Sequence, residues 1–410
     1  MMDKLLLPKI FNRNISGEIS IGGSKSESNR LLIINHLFDN KLQIENLSDS
    51  EDTRLLLKAL KSHSSEIDIH HAGTAMRFLT AFYSIQEAKE TILTGSERMK
   101  QRPVGVLVNA LRSLGAKIDY LENDGFPPLK IMGKKLSSDF VKLDANISSQ
   151  FITALMLIGS KLQNGLTIQL NGRITSLPYV MMTLKILNGI GIKTELENSV
   201  IRVLPISGLD EQQVIIESDW SSASYFYSLA ALADSAEIKL NSFYKNSLQG
   251  DSEVAHIYRK YFGVETTFSE NRITLTKNSS FKMQNLELNL NATPDIAQTI
   301  AATCSGLNIK CKLTGLETLK IKETDRLTAL KNELKKVGTI SKISKDTLEI
   351  TGFEEIRETP VINTYHDHRM AMSFAPLRLL MNLEIENPNV VEKSYPDFWK
   401  DFENLVQHKT

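Results

Sequence analysis

Four stretches of the chain share one pattern, and that pattern restricts the fold more than anything else in the sequence. Each reads as an amphipathic helix, a glycine at its end, a strand, a polar turn and a second strand. The stretches are VLVNALRSLGAKIDYLENDGFPPLKI, MMTLKILNGIGIKTELENSVIRVL, AHIYRKYFGVETTFSENRITLT and LTALKNELKKVGTISKISKDTLEI. Their glycines, Gly115, Gly191, Gly263 and Gly338, follow one another at intervals of 76, 72 and 75 residues. A glycine just past a helix relieves the left-handed position that closes it. The residues after it alternate, as in Lys117-Ile118-Asp119-Tyr120-Leu121, which suits a half-buried strand. Such a unit has one apolar helix face and one apolar sheet face that only neighbours can cover. The chain is therefore expected to be α/β (α+β), built of stacked repeats. LLLKALKSHSSEIDI reads as a fifth, degenerate copy, and about six such units would fill the chain.

Composition removes several partners. Lys+Arg (48) and Asp+Glu (48) cancel, so there is no basic excess with which to grip nucleic acid. With 23% charged and 41% apolar residues the chain has enough apolar surface to fold, which sets disorder aside. No apolar run approaches the ~20 residues needed to cross a bilayer. A chain of this length is expected to divide into two domains. Near the N-terminus, Leu5–Leu7 is stopped by Pro8 and has neither the apolar core nor the cleavage site of a signal peptide. Cys304 and Cys311 fit no metal ribbon or redox pair, so they are expected as ordinary thiols in a reducing cytoplasm. No interface signature stands out, and a monomer is expected.

Several helix starts carry polar signatures. Ser24 with Glu27 reads as a capping box. Thr293-Pro294-Asp295 offers a cap, a proline at the first helical position and an acid in the first turn. Asp219 precedes WSSASYFYSLAALA, and Ser148-Ser149-Gln150 precedes FITALMLI. Any one of these is an ordinary cap. The cations beside them are less ordinary, because Lys or Arg in a first turn opposes the helix dipole unless an anion compensates it. Lys25, Ser26 and Arg30 form one such group, with Ser26 and Arg30 on one face. Gly73-Thr74-Ala75-Met76-Arg77 places a bare glycine amide one turn before an arginine. Arg98-Met99-Lys100-Gln101-Arg102, Lys320 to Arg326 and His366-Asp367-His368-Arg369 continue the series. A nucleotide loop is not formed, since Ser24 separates Gly23 from Lys25 and no G-x-G-x-x-G follows a strand. His366 and His368 lack a third ligand at metal spacing, so no metal is expected.

GSKSESNR, AGTAMR, SERMKQRPV, SSQF, SLPY, DWSSASYF, KETDRL, YHDHRMAM and KSYPDF occur in this order. Together they resemble the 5-enolpyruvylshikimate-3-phosphate synthase family, from residue 22 to about 398. The resemblance implies two similar domains, each of three βαβαββ repeats around a pseudo-threefold axis, with the active site in the cleft between them. One domain would comprise residues 1–22 and 219–410, the other 23–218. The implied reaction moves the enolpyruvyl group of phosphoenolpyruvate to the 5-hydroxyl of shikimate 3-phosphate and releases phosphate, with no metal or organic cofactor.

Carried over residue by residue, Ser26 and Arg30 would hold the shikimate carboxylate and Lys25 would face the phosphoenolpyruvate phosphate. Ser148, Ser149 and Ser176, with Lys322, would surround the shikimate phosphate and a nearby hydroxyl, and Gln150 would lie between both substrates. The Gly73 amide and Arg102 would meet the phosphoenolpyruvate phosphate. Arg326, Arg369 and Lys393 would clamp its carboxylate, a task suited to arginine's planar fork. Asp295 resembles the family's proton acceptor and Glu323 its proton donor, with Lys25 assisting. Two positions depart from the family pattern: His71 stands where Asn is common, and Phe78 where Pro is frequent. A related alternative, the UDP-N-acetylglucosamine enolpyruvyl transferases, reads GSKNA at the first helix and carries a loop cysteine, neither of which occurs here. On this reading a chain of zero net charge hides a local pool of cations, Lys25, Arg30, Arg77, Arg98, Lys100, Arg102, Lys322, Arg326, Arg369 and Lys393.

Overall fold

The computed structural model describes residues 3–144, 148–172 and 177–407. The chain forms two compact units, residues 23–216 and residues 1–22 with 217–410. The second boundary falls two residues before the expected one, for a local reason. Gln212–Ile215 pairs parallel with Leu42–Glu45 in the first unit. The Glu217 carboxylate instead accepts from Trp220 Nε1 at 2.7 Å and Tyr244 N at 2.8 Å, both in the second. The two crossings are tied within that second unit, where Ser218 Oγ donates to Ile21 O at 2.6 Å and Asp219 N to Gly22 O at 3.2 Å.

Four sheets repeat one order: two parallel strands, then two antiparallel ones joined as a hairpin. In residues 23–216, Glu66–Asp68 pairs with Glu90–Thr94, which is followed by Leu129–Met132 and Lys117–Tyr120. Phe140–Asp144, Leu166–Asn171, Val200–Val203 and Thr194–Glu197 repeat it. In the other unit the sets are Asn14–Ile19, Ser235–Asn241, Arg272–Lys277 and Val264–Ser269, and Asn285–Asn289, Lys310–Thr314, Leu348–Phe353 and Thr339–Ile343. The whole of residues 23–216 is thus inserted after the first strand of a repeat. Each unit adds a smaller sheet: Gln212–Ile215 with Leu42–Glu45, and Val361–Ile362, Leu383–Glu386 and Lys4–Leu7.

Gly115, Gly191, Gly263 and Gly338 all have positive φ, between 66° and 103°, at the helix-to-hairpin junction where the repeat places them. The fifth copy differs. Glu51–Lys61 ends on Ser62 in an extended conformation, and Glu66–Asp68 opens the next sheet as a parallel strand, with no hairpin following. Without a left-handed residue the chain runs straight on.

The helices that matter for the site are buried on every side, as sequences rich in both apolar and small residues require. Trp220–Leu232, Ala297–Gly306 and His368–Phe374 are joined by hydroxyls: Ser224 Oγ lies 3.1 Å from Thr299 Oγ1, which lies 3.2 Å from Ser373 Oγ. Small residues let these helices approach, and the bonds satisfy polar groups that burial would otherwise penalise.

Candidate active site

In residues 23–216 four helices are tied together near their N-termini: Lys25–Leu37, Gly73–Ser84, Ser149–Gly159 and Leu177–Gly189. Arg30 is the tie. Its Nη1 donates to Ser26 O at 2.6 Å, Nε to Thr183 Oγ1 at 2.8 Å, and Nη2 to Tyr179 O at 3.3 Å and Thr153 Oγ1 at 3.4 Å. Phe78 lies under the guanidinium, 5.8 Å from ring centre to Cζ. No carboxylate lies within ion-pair distance of Arg30 among the described residues, and burial lowers its pKa to about 10, against smaller opposing effects of Tyr179 and Glu27. A buried cation served only by neutral oxygens is an arrangement that an anion would complete. Lys25 has its own counter-ion, Asp52, at 3.3 Å.

Gln150 Nε2 donates to Thr74 Oγ1 at 3.1 Å and so joins the first turns of two of these helices. Beside Thr74, Gly73 opens its helix with no side-chain cap. Arg102 lies across this opening so closely that a Cβ on Gly73 would sit 2.6 Å from its Nη1. Arg102 is 8% exposed, and its Nε has no hydrogen-bond partner among the described residues. A helix start without a side-chain cap and a buried guanidinium close beside it are the kinds of group from which anion sites are built.

The other unit builds a denser cluster. Asp295 sits in the 3-10 turn Pro294–Ile296, ahead of Ala297–Gly306. Lys322 Nζ lies 3.6 Å from its Oδ1, Arg326 Nη1 3.2 Å from the same oxygen, and Arg369 Nη2 3.1 Å from Oδ2. Burial alone would raise the pKa of Asp295, but Arg369, Lys322 and Arg326 hold it well below the usual carboxylate range. Glu323 is gripped from both sides, by Arg326 Nη2 at 2.7 Å and Lys393 Nζ at 3.1 Å. Asp367 caps His368–Phe374 by accepting from Arg369 N at 2.9 Å, and pairs with Arg326 as well.

The cationic pool expected from sequence is therefore largely neutralised from within. Asp52, Asp295, Glu323 and Asp367 face Lys25, Lys322, Arg326, Arg369 and Lys393. The reason is physical, since cations this deeply buried need compensation before any ligand arrives. Lys100 belongs elsewhere, in surface pairs with Glu97 and Glu122. Arg77 holds its own helix by donating to Gly73 O and Pro103 O.

The sequence model of EPSP synthase (3-phosphoshikimate 1-carboxyvinyltransferase) matches residues 11–68 and 62–402. A 3-phosphoshikimate 1-carboxyvinyltransferase of Bacteroides fragilis is 44% identical over 390 residues, which cover 94% of each chain. The chain belongs to the EPSP synthase family. Solved enolpyruvyl transferase structures share its fold. An EPSP synthase from Acinetobacter baumannii has a TM-score of 0.77 at 21% identity over 98% of each chain. The enolpyruvyl transferase NikO from Streptomyces tendae has 0.74 at 13% identity, covering 98% of this chain and 97% of its own. Fold alone does not separate one enolpyruvyl transferase from another, whereas the sequence match to EPSP synthases does.

Within this member of the family the described residues hold most of the expected site positions. Ser26, Arg30, Gln150, Gly73 and Arg102 lie in residues 23–216, with Lys25 beside Asp52, and Asp295, Lys322, Glu323, Arg326, Arg369 and Lys393 form the second cluster. Ser148 caps its helix by accepting from Gln150 N, and Ser149 is its buried first residue. Ser176 lies outside the described residues. Thr293, expected to cap, makes no side-chain capping bond; its helix begins with a 3-10 turn. His71 Nδ1 lies 2.8 Å from Ser96 Oγ, so the departure from Asn is accommodated by a local bond. His366 is exposed while His368 is buried, and no group of three His, Cys, Asp or Glu among the described residues is placed to hold a metal. Asp52, Asp251, Ser221 and Asp367 were not singled out as site residues from sequence. Asp367 and Ser221 had a signal, their places inside the His-Asp-His-Arg and DWSSASYF motifs.

Proposed function

We propose that this chain transfers the enolpyruvyl group of phosphoenolpyruvate to the 5-hydroxyl of shikimate 3-phosphate, releasing phosphate. One observation carries the assignment of a substrate anion: the buried Arg102 guanidinium laid over the uncapped Gly73 helix. That site suits the phosphoenolpyruvate phosphate, with Lys25 nearby in role. Arg30 and Ser26 take the shikimate carboxylate. Ser148, Ser149, Ser176, Gln150 and Lys322 take the 3-phosphate side, and Arg326, Arg369 and Lys393 take the phosphoenolpyruvate carboxylate.

The chemistry adds the 5-oxygen to C2 of phosphoenolpyruvate while C3 receives a proton. The tetrahedral adduct then loses phosphate and a C3 proton, which regenerates the double bond. Asp295 is the group to accept the hydroxyl proton, but three cations make it a weak base as it stands. Substrate anions that draw Lys322, Arg326 and Arg369 toward themselves would raise its basicity at the moment of need. Glu323 accepts from Arg326 and Lys393 in the same way, and an incoming carboxylate that engages both would free it to carry a proton to C3.

Cys304 and Cys311 are buried and unlinked, and no helix among the described residues is long and apolar enough to cross a membrane. The test is direct. Incubating the protein with shikimate 3-phosphate and phosphoenolpyruvate should release phosphate only when both are present. Absence of release across a wide pH range would overturn the assignment.

A further inference from the structure

Asp251 lies in the 3-10 turn Gly250–Glu253, 5% exposed, and none of the roles above uses it. Its Oδ2 accepts from Ser221 Oγ, while its Oδ1 has no partner among the described residues. Ser221 in turn lies in the first turn of Trp220–Leu232, and Arg369 Nη2 donates to its Oγ at 3.4 Å. A serine hydroxyl has one proton. Committed to Asp251, it leaves only lone pairs to face Arg369. Arg369 is thereby held from two directions, by Ser221 on one side and on the other by Asp295, whose backbone oxygen is 2.9 Å from Nη1 and whose Oδ2 is 3.1 Å from Nη2.

The turn carrying Asp251 is itself locked to that helix. Gln249 Oε1 accepts from Trp220 N at 2.9 Å, and Gln249 Nε2 donates to Ser218 O at 2.9 Å. A buried carboxylate near Asp295 is unfavourable, and the pKa of Asp251 is pushed up by burial first and by Asp295 second. A group held at such cost, one hydroxyl away from a site arginine, points to a task at the site.

We propose that Asp251 is a positioning residue: through the Ser221 hydroxyl it sets the orientation of Arg369 and so the place where the phosphoenolpyruvate carboxylate docks. This rests on the assignment of Arg369 to that carboxylate. A serine freed of Asp251 loses the acceptor that fixes its proton, so its hydroxyl can rotate and present Arg369 with a different acceptor geometry.

Steady-state kinetics of Asp251→Asn, Ser221→Ala, Ser221→Thr, Arg369→Lys and the Asp251→Asn/Arg369→Lys double variant test it, with a calorimetric midpoint for each. Asp251→Asn and Ser221→Ala should each raise KM for phosphoenolpyruvate by roughly tenfold, with a smaller change in kcat and none in KM for shikimate 3-phosphate. Ser221→Thr, which keeps the hydroxyl, should restore the parent value. The double variant should be no worse than Arg369→Lys alone. An altered KM in Arg369→Lys beside unchanged values in both Asp251→Asn and Ser221→Ala would overturn the proposal alone. An unchanged KM in Arg369→Lys would overturn the assignment of Arg369, and the proposal with it. Because Ser221→Ala leaves the carboxylate in place, the test survives any folding defect in Asp251→Asn.

Discussion

Arg326 and Asp367 meet side-on, Nε to Oδ2 at 2.6 Å and Nη2 to Oδ1 at 3.3 Å, with both side chains sealed from water. Burial works against the arginine's charge, yet Asp367, Glu323 and Asp295 more than offset it and push its pKa up. Since Asp367 also caps the helix of Arg369, one carboxylate fixes two arginines of the site. Asp367→Ala should therefore cost roughly 3–5 kcal/mol, the usual penalty for leaving half of a buried pair. A fall in the urea midpoint reads this out, and Asp367→Asn, which keeps the cap acceptor, should lie between. An alanine variant within about 1 kcal/mol of the parent would show that the pair behaves like a surface one.

Gly73 tests the anion site without disturbing the fold. A methyl at this position meets the far end of Arg102, a flexible side chain, so it displaces the guanidinium and leaves the backbone in place. Gly73→Ala should raise KM for phosphoenolpyruvate on the order of tenfold or more by moving a charge the substrate needs. The thermal midpoint should stay or rise slightly, because alanine favours a helix over glycine by about 1 kcal/mol. Kinetics and calorimetry on one preparation decide it: an unaltered KM would remove Arg102 from the site.

How much of this was legible in the sequence follows from what local pattern can carry. The helix–glycine–hairpin unit is local, and all four glycines take the left-handed conformation the pattern asks for. Strand partnership is not local. Asn14–Ile19 pairs with Ser235–Asn241 across the whole inserted unit, and Lys4–Leu7 completes a sheet with Leu383–Glu386. Nothing in four or six alternating residues names such a partner. Lys25, Arg326 and Arg369 were legible because they open helices, against the dipole, where their presence asks for a reason, whereas Lys393 was carried by the family resemblance alone. Of the acids that neutralise them, Asp295 and Glu323 stood out only through the family resemblance, and Asp52 and Asp367 did not stand out as site residues at all. Asp52 and Asp367 occupy first turns and caps, where acids are ordinary, and Asp251 comes from a four-residue 3-10 turn without periodicity.

Glu323 has a role that an isosteric change isolates. Glu323→Gln keeps the shape between Arg326 and Lys393 but removes a carboxyl able to carry a proton to carbon. Turnover should fall roughly 10²-fold or more, while the affinity for shikimate 3-phosphate, measured by titration calorimetry, stays within about threefold of the parent. Near-normal turnover would take Glu323 out of the proton transfers.

Asp251 also makes a prediction in stability that is independent of the reaction. Burial, Asp295 and Asp219 push its pKa up from 3.8 to about 7, against the pull of Arg369 and the Ser221 hydroxyl. The folded protein keeps this proton to about pH 7, while the unfolded chain gives it up near pH 3.8. The stability this group contributes is therefore complete below pH 3.8, declines as pH rises to about 7, and is level beyond. Asparagine does not titrate. The midpoint of Asp251→Asn relative to the parent should climb between pH 4 and 7 and then flatten, by an amount that corresponds to roughly 4 kcal/mol at most. Asp295, held low by its cations, works in the opposite sense as pH falls, but it is present in both proteins and its contribution largely cancels in the difference. Calorimetric scans of the pair from pH 4 to 8 supply the curve. A difference that stays flat across that range would show that Asp251 keeps its charge when folded, and that the Ser221 hydroxyl faces a carboxylate at every pH.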